Sequence, residues 1–171
     1  MRLFHVSEES GIRVFEPRLP TRHDLDPTVG LVWAIDEARL PNFLCPRDCP
    51  RVTFHVRPET TDADRRRFFT SDTARHAVII EHGWLARMRT TTLYLYEFDP
   101  ADFILQDAVA GYYVAVTVQT PLARHIVTDP LDALISRGVE VRMVDNLHRI
   151  AAEVQNSTLG WSLCRMKNAL P

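Results

Sequence analysis

The chain has 171 residues, of which 46% are hydrophobic and 25% charged, and its formal net charge is -2. That length builds one domain with a sizeable core and is too short for two of ordinary size, while the near-neutral charge disfavours a general attraction to nucleic acid or anionic lipid. No apolar run nears the roughly 18 residues of a membrane span, and Arg2 leads straight into amphipathic sequence without a signal-peptide core, so a cytoplasmic protein outside any membrane is expected.

Leu3 to Ser7 reads as a first strand whose alternation sends His5 and Ser7 to one face, within reach of a common ligand; a buried, hydrogen-bonded His is the other reading of His5. The Pro-rich, aperiodic stretch from Pro17 to Thr28, with His23, Asp24 and Asp26, reads as a surface loop. Gly30 to Ile35 fits a buried strand, and Asp36 to Leu40 a short helix capped by Asp36. After a turn around Cys45 to Pro50, the β-branched and aromatic content of Arg51 to Val56 favours another strand. Glu59 to Phe69, with mixed charges around Arg65, Arg66 and Arg67, reads as an exposed helix. Ala77 to Glu81 is either a strand or the start of a helix in which Trp84, Leu85 and Met88 fall at helical spacing.

Thr91 to Phe98 is the clearest strand, closed by Asp99-Pro100 turn chemistry. Phe103 to Asp107 and Gly111 to Val118 read as two further extended segments, and on the second Tyr112 and Tyr113 point to opposite faces. Asp129 to Gly138 carries an Asp cap, Pro in the first turn, helical apolar spacing and a terminating Gly. A strand over Val139 to Val144 and an amphipathic helix around Leu147 to Val154 complete the order. Strands dominate, with helices inserted irregularly, which indicates an α+β fold rather than a regular βαβ wind.

Several chemistries find little support. Lys167 is the one Lys among twenty basic residues, so Schiff-base chemistry has a single terminal candidate. The Arg excess suits phosphate through its guanidinium forks, and a GC-rich genome would produce it equally. Glycines are scattered singly, which speaks against phosphate-cradling loops, and no Ser sits in a nucleophile elbow. Three cysteines are an odd count for a disulfide framework. Cys45 and Cys49 would need His55 and Cys164 to complete a zinc site, so free thiols in a Pro-rich turn, and no metal, are expected. His76, His82, His125 and His148 show no ligand spacing and read as surface or packing residues.

Three pieces, in order, resemble the ADP-ribosyltransferase fold: His5-Val6-Ser7 on a first strand, an aromatic at Trp33 in Val32-Trp33-Ala34-Ile35, and Thr92 to Phe98 followed by Phe103 to Asp107 and a strand ending Gln119-Thr120-Pro121-Leu122. The last is similar to the small rifamycin-modifying branch. The stretches Gly30 to Asp36 and Cys49 to Phe54 are also similar to an uncharacterised bacterial family. The fold resemblance implies split antiparallel sheets with peripheral helices and an NAD-using transferase. It places His5 and Ser7 on the cofactor ribose, Trp33 on the ring, and Asp107 in the acid role, with Glu97 and Gln106 as other occupants; of the two tyrosines on opposite faces, one is core and the other, taken as Tyr112, lines the groove. Arg2, Arg13, Arg18 and Arg51 are candidates for the pyrophosphate. Trp33 stands where the family has Tyr and no terminal Glu motif is visible, so a catalytically silent nucleotide- or protein-binding domain is the alternative. At this level Trp33 also reads as a core aromatic and Asp107 as a turn cap. The expected ligand is a dinucleotide held in a cleft where these side chains converge.

Overall fold

A computed structural model describes residues 1–20 and 24–171; His23, named in the expected Pro-rich loop, lies outside them. In chain order the elements are β1 (Leu3–Ser7), β2 (Val32–Asp36), β3 (Arg51–His55), α1 (Asp62–Phe68), β4 (His76–Glu81), α2 (Leu85–Thr90), β5 (Leu93–Phe98), β6 (Ile104–Asp107), β7 (Tyr112–Ala115), β8 (Ala123–Val127), α3 (Pro130–Ile135), β9 (Glu140–Val144), α4 (His148–Gln155) and β10 (Gly160–Cys164). The fold is mixed α+β with two sheets, ordered β6-β7-β2-β1-β5-β8 and β10-β3-β4-β9. Pairing is antiparallel throughout these sheets except for the parallel β4–β9 pair.

By contacts the chain divides into two compact units, Met1–Leu40 with Leu93–Val127, and Pro41–Thr92 with Thr128–Pro171. The first unit holds the six-stranded sheet. Leu3, Val32, Ala34, Tyr96, Phe98 and Ala115 share one of its faces and form a buried cluster with Phe15 and Phe103. Phe15 is fixed there by two backbone hydrogen bonds with Gln119, of 2.8 and 2.9 Å. The opposite face follows from strand alternation and carries Phe4, Ile35, Leu95 and Val114, all buried.

In the second unit Val52, Phe54, Ala77 and Ile79 line one face of the four-stranded sheet and pack against Phe68, Phe69, Leu147, Ala151 and Val154. Phe54 sits edge-on to both Phe68 and Phe69, at 5.6 and 5.3 Å between ring centroids. Helix starts follow local chemistry: the Thr61 side chain accepts the Asp64 N–H at 3.2 Å, and the Asp129 carboxylate accepts the Asp132 N–H at 3.0 Å with Pro130 in the first turn. At the end of α3, Gly138 adopts φ 69°. Its N–H reaches Ile135 O and the Val139 N–H reaches Leu134 O, a pair of bonds that closes the helix.

Two readings of the sequence are corrected. Asp36 caps no helix: its carboxylate accepts the Arg39 N–H at 2.8 Å and closes a turn, and a short 3₁₀ segment begins only at Leu40. The same side-chain-to-backbone bond serves either structure, so composition does not separate them. Strands β8 and β10 fall where no strand was expected. The open alternative at Ala77 to Glu81 resolves as strand, with the helical spacing belonging to α2.

Candidate functional site

His5 occupies the middle of β1, between β2 and β5. Its ring lies against Phe15, with centroids 4.9 Å apart and a tilt of 55°, and its Nδ1 is 3.1 Å from the Trp33 carbonyl oxygen. A carbonyl only accepts, so Nδ1 is the donor in this contact. Two residues on, the Ser7 hydroxyl accepts the Glu9 N–H at 3.1 Å and turns the chain off the strand.

Register brings further groups beside these. Tyr96 lies opposite His5 on β5 and Arg124 opposite Tyr96 on β8, while Tyr94 is opposite Ser7 and Ile126 opposite Tyr94. One face of β1, β5 and β8 thus presents two adjacent rows, His5-Tyr96-Arg124 and Ser7-Tyr94-Ile126. Tyr96 is buried, and its hydroxyl donates to Glu9 O at 2.6 Å and accepts the Ile12 N–H at 3.1 Å, which fastens the segment after β1. The Arg124 guanidinium stands 5.5 Å from the Tyr94 ring centroid and donates to Ser10 O. Imidazole, hydroxyl, half-buried phenol ring and exposed guanidinium are the groups that engage a ribose, a flat ring and a phosphate. Sequence reasoning missed Tyr94 and Arg124; the alternation of Tyr94 with Tyr96 put both on one face, but nothing local paired that face with His5.

Trp33, Tyr112 and Asp107 take the other side of the sheet. Leu3 pairs with Asp36 and Phe4 with Ile35, so His5 shares a side with Ala34 while Trp33 shares one with Ile35 and Phe4. Trp33 and Tyr112 meet edge to face at 5.3 Å and 83°; Tyr113, on the core side, packs with the buried cluster. Asp107 Oδ1 accepts the N–H groups of Val109 and Ala110 at 2.9 and 3.0 Å and shapes the turn into β7, where Gly111 has φ 67°. The expected convergence of His5 and Ser7 with Trp33, Tyr112 and Asp107 is therefore corrected. Alternation within each strand was right, but cross-strand register puts the two sets on opposite faces.

A second polar cluster lies at Glu97. Arg2 donates through Nε and Nη2 to its two carboxylate oxygens, each at 2.8 Å, and through Nη1 to Glu37 at 2.9 Å. His125 Nε2 is 2.8 Å from Glu97 Oε2, and the guanidinium lies 4.8 Å from the centroid of the Phe4 ring. The Arg2 and His125 hydrogen bonds hold the Glu97 carboxyl down at about 2, and Glu97 in turn raises Arg2. Glu97 stays ionised at neutral pH, able to stabilise a positive charge but not to give up a proton. Arg2, one of the pyrophosphate candidates, is engaged by these two carboxylates.

In the second unit His76 Nε2 is 2.7 Å from Asn42 Oδ1, and buried Arg51 donates to Asn42 O at 2.5 Å and Cys49 O at 2.9 Å. His55 pairs across the sheet with His76, at 5.7 Å between rings, and Cys164 lies opposite Arg51. Cys45 and Cys49 are free and buried. Among the described residues no three His, Cys, Asp or Glu side chains group as a metal site would need, and no helix is long and apolar enough to cross a membrane.

No curated protein and no solved structure matches the chain. Residues 4–169 match the family described as a family of unknown function (DUF6886), and on that near-complete coverage the chain belongs to it.

Proposed function

We propose that this chain is a cytoplasmic, catalytically silent member of the ADP-ribosyltransferase-like class that binds a nucleotide of the NAD type on the face bearing His5, Ser7, Tyr94 and Arg124. The observation that carries the reading is the register His5-Tyr96-Arg124 beside Ser7-Tyr94. The His5 ring and the Ser7 hydroxyl meet the ribose, and Tyr94 with the Arg124 guanidinium 5.5 Å from its ring centroid meets the diphosphate end. Silence follows from Asp107, whose Oδ1 is engaged by two backbone N–H groups on the side of the sheet away from His5.

Calorimetric titration with NAD and with ADP-ribose, coupled to an assay for nicotinamide release, tests this. Saturable binding without release is expected, weakened about tenfold or more by His5→Ala and by Arg124→Ala and unchanged by Asp107→Asn. Absence of binding to either ligand overturns the reading. So does nicotinamide release that Asp107→Asn abolishes.

A further inference from the structure

The residues that follow β1 turn back over the face that carries His5, and three side chains of that face take hold of them. The turn begins where the Ser7 hydroxyl accepts the Glu9 N–H at 3.1 Å. The Tyr96 hydroxyl then donates to Glu9 O at 2.6 Å and accepts the Ile12 N–H at 3.1 Å, and the Arg124 guanidinium donates through Nη1 to Ser10 O. Past Ile12 the chain is pinned again, since Phe15 exchanges two backbone hydrogen bonds with Gln119 and sets its ring against His5. Between these anchors Glu8, Glu9, Ser10 and Gly11 are exposed, and a Cβ added at Gly11 would meet nothing within 4 Å. Residues 8–11 are thus fastened at both ends and held at the middle by the exposed Arg124 side chain, and so thinly packed a segment lies at the low end of local stability.

We propose that residues 8–11 form a strap that tightens on the bound nucleotide, with Arg124 as the link; this rests on the nucleotide reading above. A guanidinium presents its N–H donors in a rigid planar fork, and the bond to Ser10 O occupies only Nη1. A diphosphate oxygen that reaches Nε or Nη2 therefore leaves the strap in place. The charge-assisted bond it forms fixes the plane of an exposed side chain, and a fixed guanidinium holds Ser10 O better than a mobile one. Ser7 acts in the same sense, because its oxygen accepts the Glu9 N–H while its O–H donates to the ribose. Ligand and strap are held by the same two side chains, so each lowers the ordering cost of the other, a coupling that needs no change of fold. Such coupling is reciprocal: a strap made stiffer binds the nucleotide more tightly.

The test is amide hydrogen exchange of the full chain, read by mass spectrometry on the peptide covering residues 8–12 with and without saturating ADP-ribose, beside calorimetry of the same samples. ADP-ribose is expected to slow exchange there about fivefold or more. In Arg124→Lys, which keeps the charge and loses the fork, ADP-ribose still binds, more weakly, and the slowing disappears. Gly11→Ala, whose methyl enters open space, stiffens the strap and is expected to tighten ADP-ribose about two- to fivefold. Both substitutions fall at exposed positions, so neither removes a core contact. The proposal is overturned, with the nucleotide reading left standing, if ADP-ribose binds while exchange at residues 8–12 is unchanged or faster, if Arg124→Lys keeps the full slowing, or if Gly11→Ala leaves the affinity unchanged. Absence of ADP-ribose binding to the parent chain overturns both.

Discussion

Arg2 and Glu97 meet side-on, with Nε and Nη2 of the guanidinium each 2.8 Å from a different carboxylate oxygen. Because the folded state lowers the Glu97 carboxyl from 4.5 to about 2, its contribution to stability is complete above the unfolded value and disappears as pH falls through about 2. Glu97→Gln is expected to cost on the order of 1 kcal/mol at neutral pH, less at high salt. The difference between parent and variant should shrink below pH 4.5. Urea denaturation of both chains at neutral and acid pH checks this; a gap that persists unchanged at low pH contradicts it.

Asp107 is placed as a turn former. Replacing it with Ala removes the acceptor for the Val109 and Ala110 N–H groups and should cost about 1 kcal/mol. Asp107→Asn keeps an equivalent oxygen and should recover most of that. Denaturation midpoints of the two variants separate this role from a charge-dependent one, in which Asn and Ala would be equally harmful.

Gly160 lies opposite His55 across the β3–β10 pair. A Cβ at Gly160 would run into the His55 imidazole and come to 2.9 Å from Arg57 Cδ. Gly160→Ala is therefore expected to destabilise by about 1–3 kcal/mol, with part of the loss relieved when His55→Ala is added. Thermal unfolding of the single and double variants provides the coupling.

Tyr96→Phe deletes a hydroxyl that serves Glu9 and Ile12 at once. Leaving both backbone groups without it should cost about 1–3 kcal/mol. The effect should be local as well: amide exchange at Ile12 is expected to accelerate while that of β5 changes little.

How much of this was legible depends on the range of the physics involved. The strand at Leu3–Ser7, the capped helix over Pro130–Ile135 and the turn chemistry at Asp99 are written in neighbouring residues, through alternation, a carboxylate cap and Pro geometry. Strands β8 and β10 were not. Both are sheet edges, and Ala123 to Ile126 are exposed, so no apolar alternation marks β8. The Glu97 cluster was equally hidden, because its partners Arg2 and His125 come from distant positions and meet only through the pairing of β5 with its neighbours.

The sequence alone determined that His5 and Ser7 leave one side of a strand and that Tyr94 and Tyr96 leave one side of another, since a pleated backbone alternates with a period of two whatever surrounds it. Tertiary structure decided the rest. Hydrogen-bond register between β1, β5 and β8 set His5 beside Tyr96 and Arg124, and the register with β2 put Trp33 on the far side. Register is chosen by burial across the whole sheet, and a slip of a single residue exchanges its faces.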